Sequence, residues 1–331
     1  MAFRVAVDAM GGDHGPRTIV RGAVQALGAD EEIALVLVGN EDCLREALNG
    51  TEADQTGERI QIVHASEVIG MDESPVEALR TKKDSSIGRM VALAAERRVE
   101  AVLSAGNTGA CAAACQLKLR TLPNVTRPGI AVTIPSFHGP FILCDVGANI
   151  NAKPRHLYEY AVMATVYAER VLGIEEPRVA LASVGAESGK GTDLVRQTHK
   201  LLREDTRINF VGNAEGLDLF EDRCDVAICD GFVGNVVLKF IEGLAEGLFR
   251  TISQEFENEA PDLKKRFAAA LERVWDRHDY SRYGGAPLLG LDGVCIVCHG
   301  RSSEFAIRNA VLAARRFVCE NLNDEINARL A

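Results

Sequence analysis

Short apolar runs recur along this chain, with helical stretches between them. They cover Phe3 to Asp8, Ala34 to Gly39, Ile60 to His64, Ala101 to Ser104, Gly129 to Ile134, Phe141 to Asp145, Val179 to Val184, Asn209 to Val211, Asp225 to Cys229 and Val294 to His299. Most are apolar throughout instead of alternating, the pattern of parallel strands covered by helices on both faces. Helical spacing predicts helices over Arg17 to Leu27, Ser86 to Arg98, Pro154 to Leu172 and Asp193 to Arg203. Asp84, Ser85 and Ser86 offer N-cap side chains before Ile87, and Pro154 suits a first helical turn. The alternation predicts an α/β fold.

The rhythm breaks after Asn235, and from there to about Tyr283 the chain reads as helix upon helix. The first of these helices, from about Asn235 to Glu257, carries Val237, Phe240, Ile241, Leu244, Leu248 and Ile252. Gly243 and Gly247 leave a face where another backbone can approach, so a packed helix pair or a subunit contact is expected. The second helix sets Leu263, Phe267, Leu271, Val274 and Trp275 on one stripe, with Lys264, Lys265, Arg266, Arg273 and Arg277 off it. A basic amphipathic helix of this kind lies on an anionic membrane or grips an acidic protein, unless its stripe is buried at an intramolecular or dimer contact.

Composition narrows the function classes. With 331 residues, 47% hydrophobic and 25% charged, the chain can bury a large core, as one big α/β domain or two smaller ones. A formal net charge of -10 argues against nucleic acid as a general partner, since phosphate neutralisation needs a basic footprint. The first residues lack the apolar stretch of a signal peptide, and no run approaches the ~18 apolar residues of a membrane span, so a cytosolic protein is expected. The nine cysteines are odd in number and sit mostly inside apolar runs, where free thiols behave as small hydrophobes. Cys295 and Cys298 have metal-motif spacing, but in a strand positions i and i+3 point to opposite faces. Cys111 and Cys115 share a helix face and read as packing.

Candidate chemistry lies in the glycine-rich loops that follow the apolar runs. These are Asp8 to Gly15, Ser104 to Gly109, Gly185 to Thr192, Val211 to Gly216 and Asp230 to Asn235, each followed by what reads as a helix start. Glycine lets a ligand approach the backbone, and a helix N-terminus presents unpaired N–H groups to an anion. Gly11, Gly12, Asn107, Thr108, Gly109, Gly189 and Asn213 are the candidate phosphate-binding residues. Lys190 is the one cation within these loops, and a lysine among backbone N–H groups holds phosphate as a point charge.

Motif spacing excludes the commoner uses of such loops. Gly185 to Thr192 places its glycines one residue too closely for a Walker loop and inserts Gly191 before Thr192, which disfavours ATP hydrolysis. The dinucleotide fingerprint is absent after the first strand, where Met10-Gly11-Gly12-Asp13 stands instead. No G-x-S-x-G elbow exists, and no Ser or Cys can be paired with a His, so any acyl chemistry would bring its nucleophile as substrate. Asn235 is either a plain helix cap or an amide donor to a developing oxyanion, worth ~3 kcal/mol of barrier in a dry site. Asn107 and Asn213 carry the same two readings, and Thr108 either donates to phosphate or caps a helix near Gly109. His299, at a strand end, is a candidate proton donor to a leaving group, with His14 competing. Asp8, Asp13, Asp145 and Asp230 would repel phosphate unless they orient donors or bind a cation.

Taken in order, Val7-Asp8-Ala9-Met10-Gly11-Gly12-Asp13-His14, Ser104-Ala105-Gly106-Asn107-Thr108-Gly109-Ala110, Asp145-Val146-Gly147-Ala148-Asn149, Asp230-Gly231-Phe232-Val233-Gly234-Asn235 and Tyr283-Gly284-Gly285-Ala286-Pro287-Leu288-Leu289-Gly290 span nearly the whole chain. The set resembles the acyl-acyl carrier protein:phosphate acyltransferases of bacterial phospholipid synthesis. The resemblance implies a three-layer α/β/α sandwich related to phosphotransacetylase and isocitrate/isopropylmalate dehydrogenases, as a single domain over 1–331 with a helical protrusion over 236–283. It implies a homodimer, peripheral contact with the cytoplasmic membrane, and no metal, nicotinamide or other cofactor. The implied reaction moves a fatty acyl group from acyl carrier protein to inorganic phosphate, giving acyl phosphate for a membrane glycerol-3-phosphate acyltransferase.

The residues allow a matching mechanism. Phosphate, with a second pKa of ~6, is already a nucleophile near neutral pH. The glycine loops and Lys190 would position it against the thioester, Asn235 would stabilise the oxyanion, and His299 need not be essential because a thiolate leaves readily. For the acidic carrier protein, Arg80, Lys82, Lys83, Arg97, Arg98, Lys264, Lys265 and Arg266 are candidate docking charges, and Trp275 a membrane contact. A coenzyme A-dependent phosphotransacetylase and a non-catalytic scaffold binding phosphate or carrier protein at the membrane are the competing expectations.

Overall fold

The structure is a computed structural model that describes residues 2–52, 57–259, 269–270, 272–274 and 280–331. The apolar runs form strands β1 (Phe3–Asp8), β2 (Ile33–Gly39), β3 (Ile60–His64), β4 (Ala101–Ser104), β5 (Gly129–Ile134), β6 (Phe141–Cys144), β7 (Val179–Ala182), β8 (Phe210–Ala214), β9 (Val226–Ile228) and β11 (Val294–Val297). β10 (Ala286–Leu289) lies outside every predicted run. It is four residues long and contains Pro287, which has no N–H to give to a ladder. The proline is accommodated because β10 changes neighbours along its length: Ala286 and Pro287 pair with β11, Leu288 and Leu289 with β5.

The helices are α1 (Gly15–Ala29), α2 (Glu41–Leu48), α3 (Pro75–Thr81), α4 (Ser86–Ala95), α5 (Thr108–Lys118), α6 (Pro154–Tyr167), α7 (Asp193–Glu204), α8 (Gly231–Glu259), α9 (Glu304–Cys319) and α10 (Leu322–Leu330). The chain continues past α6 in a π-helical turn to Leu172, so the predicted helix over Pro154 to Leu172 is two helical forms in series. Ser85 occupies the cap position of α4, yet its side chain makes no cap bond. Asp84 instead accepts from the Ser66 N–H and hydroxyl and from Arg89.

All eleven strands form one sheet in the order β3-β2-β1-β4-β11-β10-β5-β6-β9-β7-β8. β3, β2, β1, β4 and β11 run parallel, and so do β6, β9, β7 and β8. Antiparallel pairing at β11/β10, β10/β5 and β5/β6 joins the two blocks and reverses their direction. Alternate strand residues feed two cores, as the pleat requires. Val5, Val7, Leu35 and Leu37 lie in the core under α1 and α9, whereas Ala6, Val36, Val38 and Val102 lie in the core of the other face, under α4. This is the sandwich of helices on both faces that continuous apolar runs demand.

Two outer helices pack closely enough to be tested. Gly22 of α1 meets α9 so tightly that an added Cβ would run into Glu304 O and lie 2.8 Å from Ile307 Cβ. Gly22→Ala gains up to ~1 kcal/mol of helix propensity but overpacks a tight contact at a cost of ~1–3 kcal/mol. The overpacking dominates, so the variant should unfold at lower temperature; an unchanged or raised thermal midpoint would contradict the packing described.

The helix after the break begins earlier than its apolar pattern suggests, and it is the element with the least cover. α8 spans 29 residues, ~44 Å at 1.5 Å per residue. Its described residues beyond Gly234 include none that is fully buried. Phe240, Leu244 and Leu248, four apart, are 66%, 50% and 54% exposed. No helix among the described residues is long and apolar enough to cross a membrane.

Candidate active site

One group of loops gathers where β1, β4 and β11 end side by side. Asp8 is buried there and accepts from the Ser104 hydroxyl at 2.7 Å and the Met10 N–H at 3.3 Å. Burial raises its pKa, against the pull of those hydrogen bonds. Gly11 lies so near the next loop that a Cβ would sit 2.5 Å from Gly106 N, so only glycine fits. Gly12 follows in the left-handed region at φ 85°, and Asp13 N–H donates to Gly300 O at 2.7 Å, tying in the loop after β11. His14 stands exposed at the start of α1 without capping it.

Asn107 has a structural occupation. Its Oδ1 accepts from Ala110 N–H at 2.9 Å, capping α5, while Nδ2 donates to the carbonyls of Gly70, Met71 and Glu73. The side chain therefore clamps the 70–73 segment and has no donor left for a ligand in this arrangement. Thr108 is the first residue of α5, not its cap. Gly109 beside it abuts Pro75, and a Cβ there would lie 2.7 Å from the ring. Both are exposed, with their N–H groups in the first turn of a helix.

The second group forms where β6, β9 and β7 end on adjacent parallel strands, ~4.8 Å apart. Asp145 organises it as an acceptor. Its Oδ1 takes the N–H groups of Ile130, Gly147 and Ala148, and its Oδ2 takes that of Asn149 at 2.7 Å. Burial nevertheless raises its pKa. Asp145 N–H donates to Cys229 O and Gly231 N–H to Asn149 O, fastening this loop to the start of α8.

Asn235 does not begin α8; that helix starts at Gly231, a turn earlier. The cap is Asp230, whose Oδ1 accepts from the N–H groups of Phe232 and Val233 at 2.9 and 3.0 Å. Asn235 is exposed, beside Gly147, and its amide has no hydrogen-bond partner among the described residues.

Lys190 is exposed in the loop between β7 and α7, with its aliphatic stem folded over Gly185. Thr192 caps α7 by accepting from Val195 N–H. Gly189 is open, with nothing within 4 Å of an added Cβ. Asn213 lies in β8, not in a loop, because the strand continues past Val211 through a bulge that places Gly212 at φ 107°. Its Nδ2 donates to Glu187 O at 2.9 Å, and its buried Oδ1 has no partner among the described residues.

α8 connects the two groups. From Asn235 its successive turns present Lys239, Glu242 and Glu246, and the last two reach the loop after β11. His299 Nε2 is 4.0 Å from Glu242, and Arg301 is 3.4 Å from Glu246. Burial, then the charge of Lys239, lowers the His299 pKa, so the ring is neutral near neutral pH. Its Nδ1 accepts from the Arg301 N–H at 3.1 Å.

Among the described residues no serine or cysteine is hydrogen-bonded to a histidine, and of the nine cysteines only Cys43 on α2 and Cys319 at the end of α9 are exposed. Cys111, Cys115, Cys144, Cys224, Cys229, Cys295 and Cys298 are buried, and burial pushes the Cys298 thiol up to about 12. Cys295 and Cys298 belong to opposite cores. The sulfurs of Cys111, Cys115 and Cys295 lie within 4.8 Å of one another and are the one group among the described residues with metal-ligand proximity.

The proposed docking charges separate into engaged and open ones. Lys82 is held by Glu73 and the Val68 carbonyl, Arg97 by Asp292, and Arg98 by Glu96. Arg80 and Lys83 are exposed, without a partner among the described residues. Lys264, Lys265, Arg266 and Trp275 lie outside the described residues, as do Leu263, Phe267, Leu271 and Arg277. A cavity of about 410 Å³ opens beyond the 145–149 loop, between Arg127, Asn151, Lys153 and His156, residues that no sequence spacing linked.

Residues 3–325 match the sequence model of a family described as fatty acid synthesis protein. The phosphate acyltransferase of Heliobacterium modesticaldum is 49% identical over 322 residues, covering 96% of this chain and 95% of that protein. That of Brevibacillus brevis is 45% identical over 333 residues, covering 99% and 97%. Among solved structures, a phosphotransacetylase from Streptococcus pyogenes aligns with a TM-score of 0.65 at 17% identity, over 96% of this chain and 94% of that one. A 4-hydroxythreonine-4-phosphate dehydrogenase from Klebsiella pneumoniae aligns with a TM-score of 0.53 at 15% identity, over 95% and 99%. These likenesses bear on the fold, a mostly parallel sheet between helices of dehydrogenase-like type. The chain therefore belongs to the fatty acid synthesis protein family, as an acyltransferase alongside these phosphate acyltransferases.

Proposed function

We propose that this enzyme transfers a fatty acyl group from the thioester of acyl carrier protein to inorganic phosphate, releasing acyl phosphate for phospholipid synthesis. The observation that carries this reading is the Asn235 amide, exposed and unbonded in the early turns of α8, in a site without a covalent nucleophile. A phosphate oxygen attacks the thioester carbonyl carbon, a C–O bond forms, and the C–S bond breaks to release the pantetheine thiolate. Phosphate is held by Lys190 and the free N–H of Gly189, in the loop after β7 and so in the same group of strand ends as Asn235, so that positioning supplies much of the rate. Asn235 donates to the oxyanion. His299, neutral and set back near Glu242, carries no acidic proton for the leaving thiolate, which departs without one.

The exposed apolar row of α8 suits a contact with a second copy, giving a homodimer, and the 236–283 region as a whole suits peripheral attachment to the cytoplasmic membrane. There the product would pass to a glycerol-3-phosphate acyltransferase. Arg80 and Lys83 are the open charges for docking the acidic carrier protein.

Comparing long-chain acyl carrier protein with acetyl-coenzyme A as donors tests the donor assignment. The carrier-protein thioester should be preferred, and its KM should rise with ionic strength as docking charges are screened. Preference for acetyl-coenzyme A, with no salt dependence, would instead make this enzyme a phosphotransacetylase.

A further inference from the structure

The cavity beyond the 145–149 loop is chemically built for an anion. Arg127 and Lys153 line it, and neither side chain has an ion-pair or hydrogen-bond partner among the described residues. His156 lines it too and is only 6% exposed. Its Nδ1 accepts from the Lys153 N–H at 3.2 Å, which places the ring proton on Nε2. That N–H makes no hydrogen bond to the protein among the described residues. The nearest acid, Glu159, is buried and fully engaged: it accepts from Arg155 at 2.8 Å, from the Thr126 N–H at 2.8 Å and from the Thr126 hydroxyl at 2.9 Å. Its charge is balanced by Arg155, so the cations facing the cavity are uncompensated.

Position gives the site its meaning. Ala148 and Asn149 form one wall, and Gly147 of the same loop lies beside Asn235. A ligand held here is one loop away from the amide assigned to the oxyanion. His156 shares the lining of this cavity of about 410 Å³ with the two cations.

We propose that Arg127, Lys153 and His156 form a second phosphoryl-oxyanion site. Its ligand is either the phosphodiester at the base of the donor's pantetheine arm or inorganic phosphate itself, the two phosphoryl groups of the reaction. The identity of these sources rests on the acyl-transfer reading; the binding of a phosphoryl anion does not.

Titration calorimetry with phosphopantetheine and, separately, inorganic phosphate tests this on the intact chain and on Arg127→Gln/Lys153→Gln and His156→Gln variants. Because Arg127 and Lys153 are exposed, the double variant should keep its thermal midpoint. It should bind one of the two probes about tenfold or more weakly, with the KM of the corresponding substrate rising in parallel. Weakened phosphopantetheine binding identifies the donor arm, and weakened phosphate binding identifies the acceptor. Unchanged affinity for both probes in a folded double variant overturns the proposal. Wild-type protein that binds a probe yet forms no acyl phosphate would overturn the acyl-transfer reading and leave this site standing.

Discussion

Asn235→Ala is expected to lower kcat for acyl transfer to phosphate by about 100- to 1,000-fold, the usual effect of removing one oxyanion donor. Sequence alone allowed Asn235 to be a helix cap, in which case the loss would fall on stability. Asp230 already performs that task, accepting from Phe232 and Val233, and Asn235 sits a turn further on with its amide unbonded and exposed. Removing an exposed, unbonded amide changes stability by no more than ~0.5 kcal/mol. The expected signature is thus an inactive enzyme with a wild-type thermal midpoint. Lys190→Ala should behave alike and also raise the KM for phosphate, since Lys190 is placed as its counter-charge. Wild-type kcat in both variants would contradict the roles given to them.

The second large effect is on the scaffold. Asp145→Ala removes the acceptor for the backbone N–H groups of Ile130, Gly147, Ala148 and Asn149 in a buried setting. Leaving a buried donor unpaired costs ~1–3 kcal/mol, and even if solvent reaches some of the four, a total on the order of 3 kcal/mol or more is expected. Asp145→Asn should be milder, because one oxygen still accepts while the new amide opposes a single N–H. The raised pKa sets the pH sign: the group's contribution is greatest below its unfolded pKa and declines as pH rises through its higher folded value. Thermal melts ordered wild type, Asn, Ala would support this, and an Ala variant as stable as wild type would refute it.

Most of the fold was legible because a strand buried on both faces leaves a local trace, an unbroken apolar run such as Ala101 to Ser104. β10 left none, since four residues with a proline resemble a turn until two different neighbours share them. The strand over Asn213 was hidden by Gly212, whose bulge conformation mimics a loop signal. For the site, Asn107 and Asn235 were locally indistinguishable, because a cap and an oxyanion donor need the same amide near a helix start. What separates them is long-range: Asn107 is consumed by the 70–73 carbonyls, and Asn235 is relieved by Asp230. The cavity of Arg127, Lys153 and His156 draws on segments whose spacing carries no motif, so it emerges only once β5 and β6 are paired.

Direct attack by phosphate is the central claim, and trapping the product with hydroxylamine tests it most directly. Purified enzyme given acyl carrier protein thioester should yield acyl hydroxamate in amounts that track added phosphate, with none above the no-enzyme background when phosphate is omitted. Hydroxamate formed by the enzyme independently of phosphate, or none formed in its presence, would contradict the account.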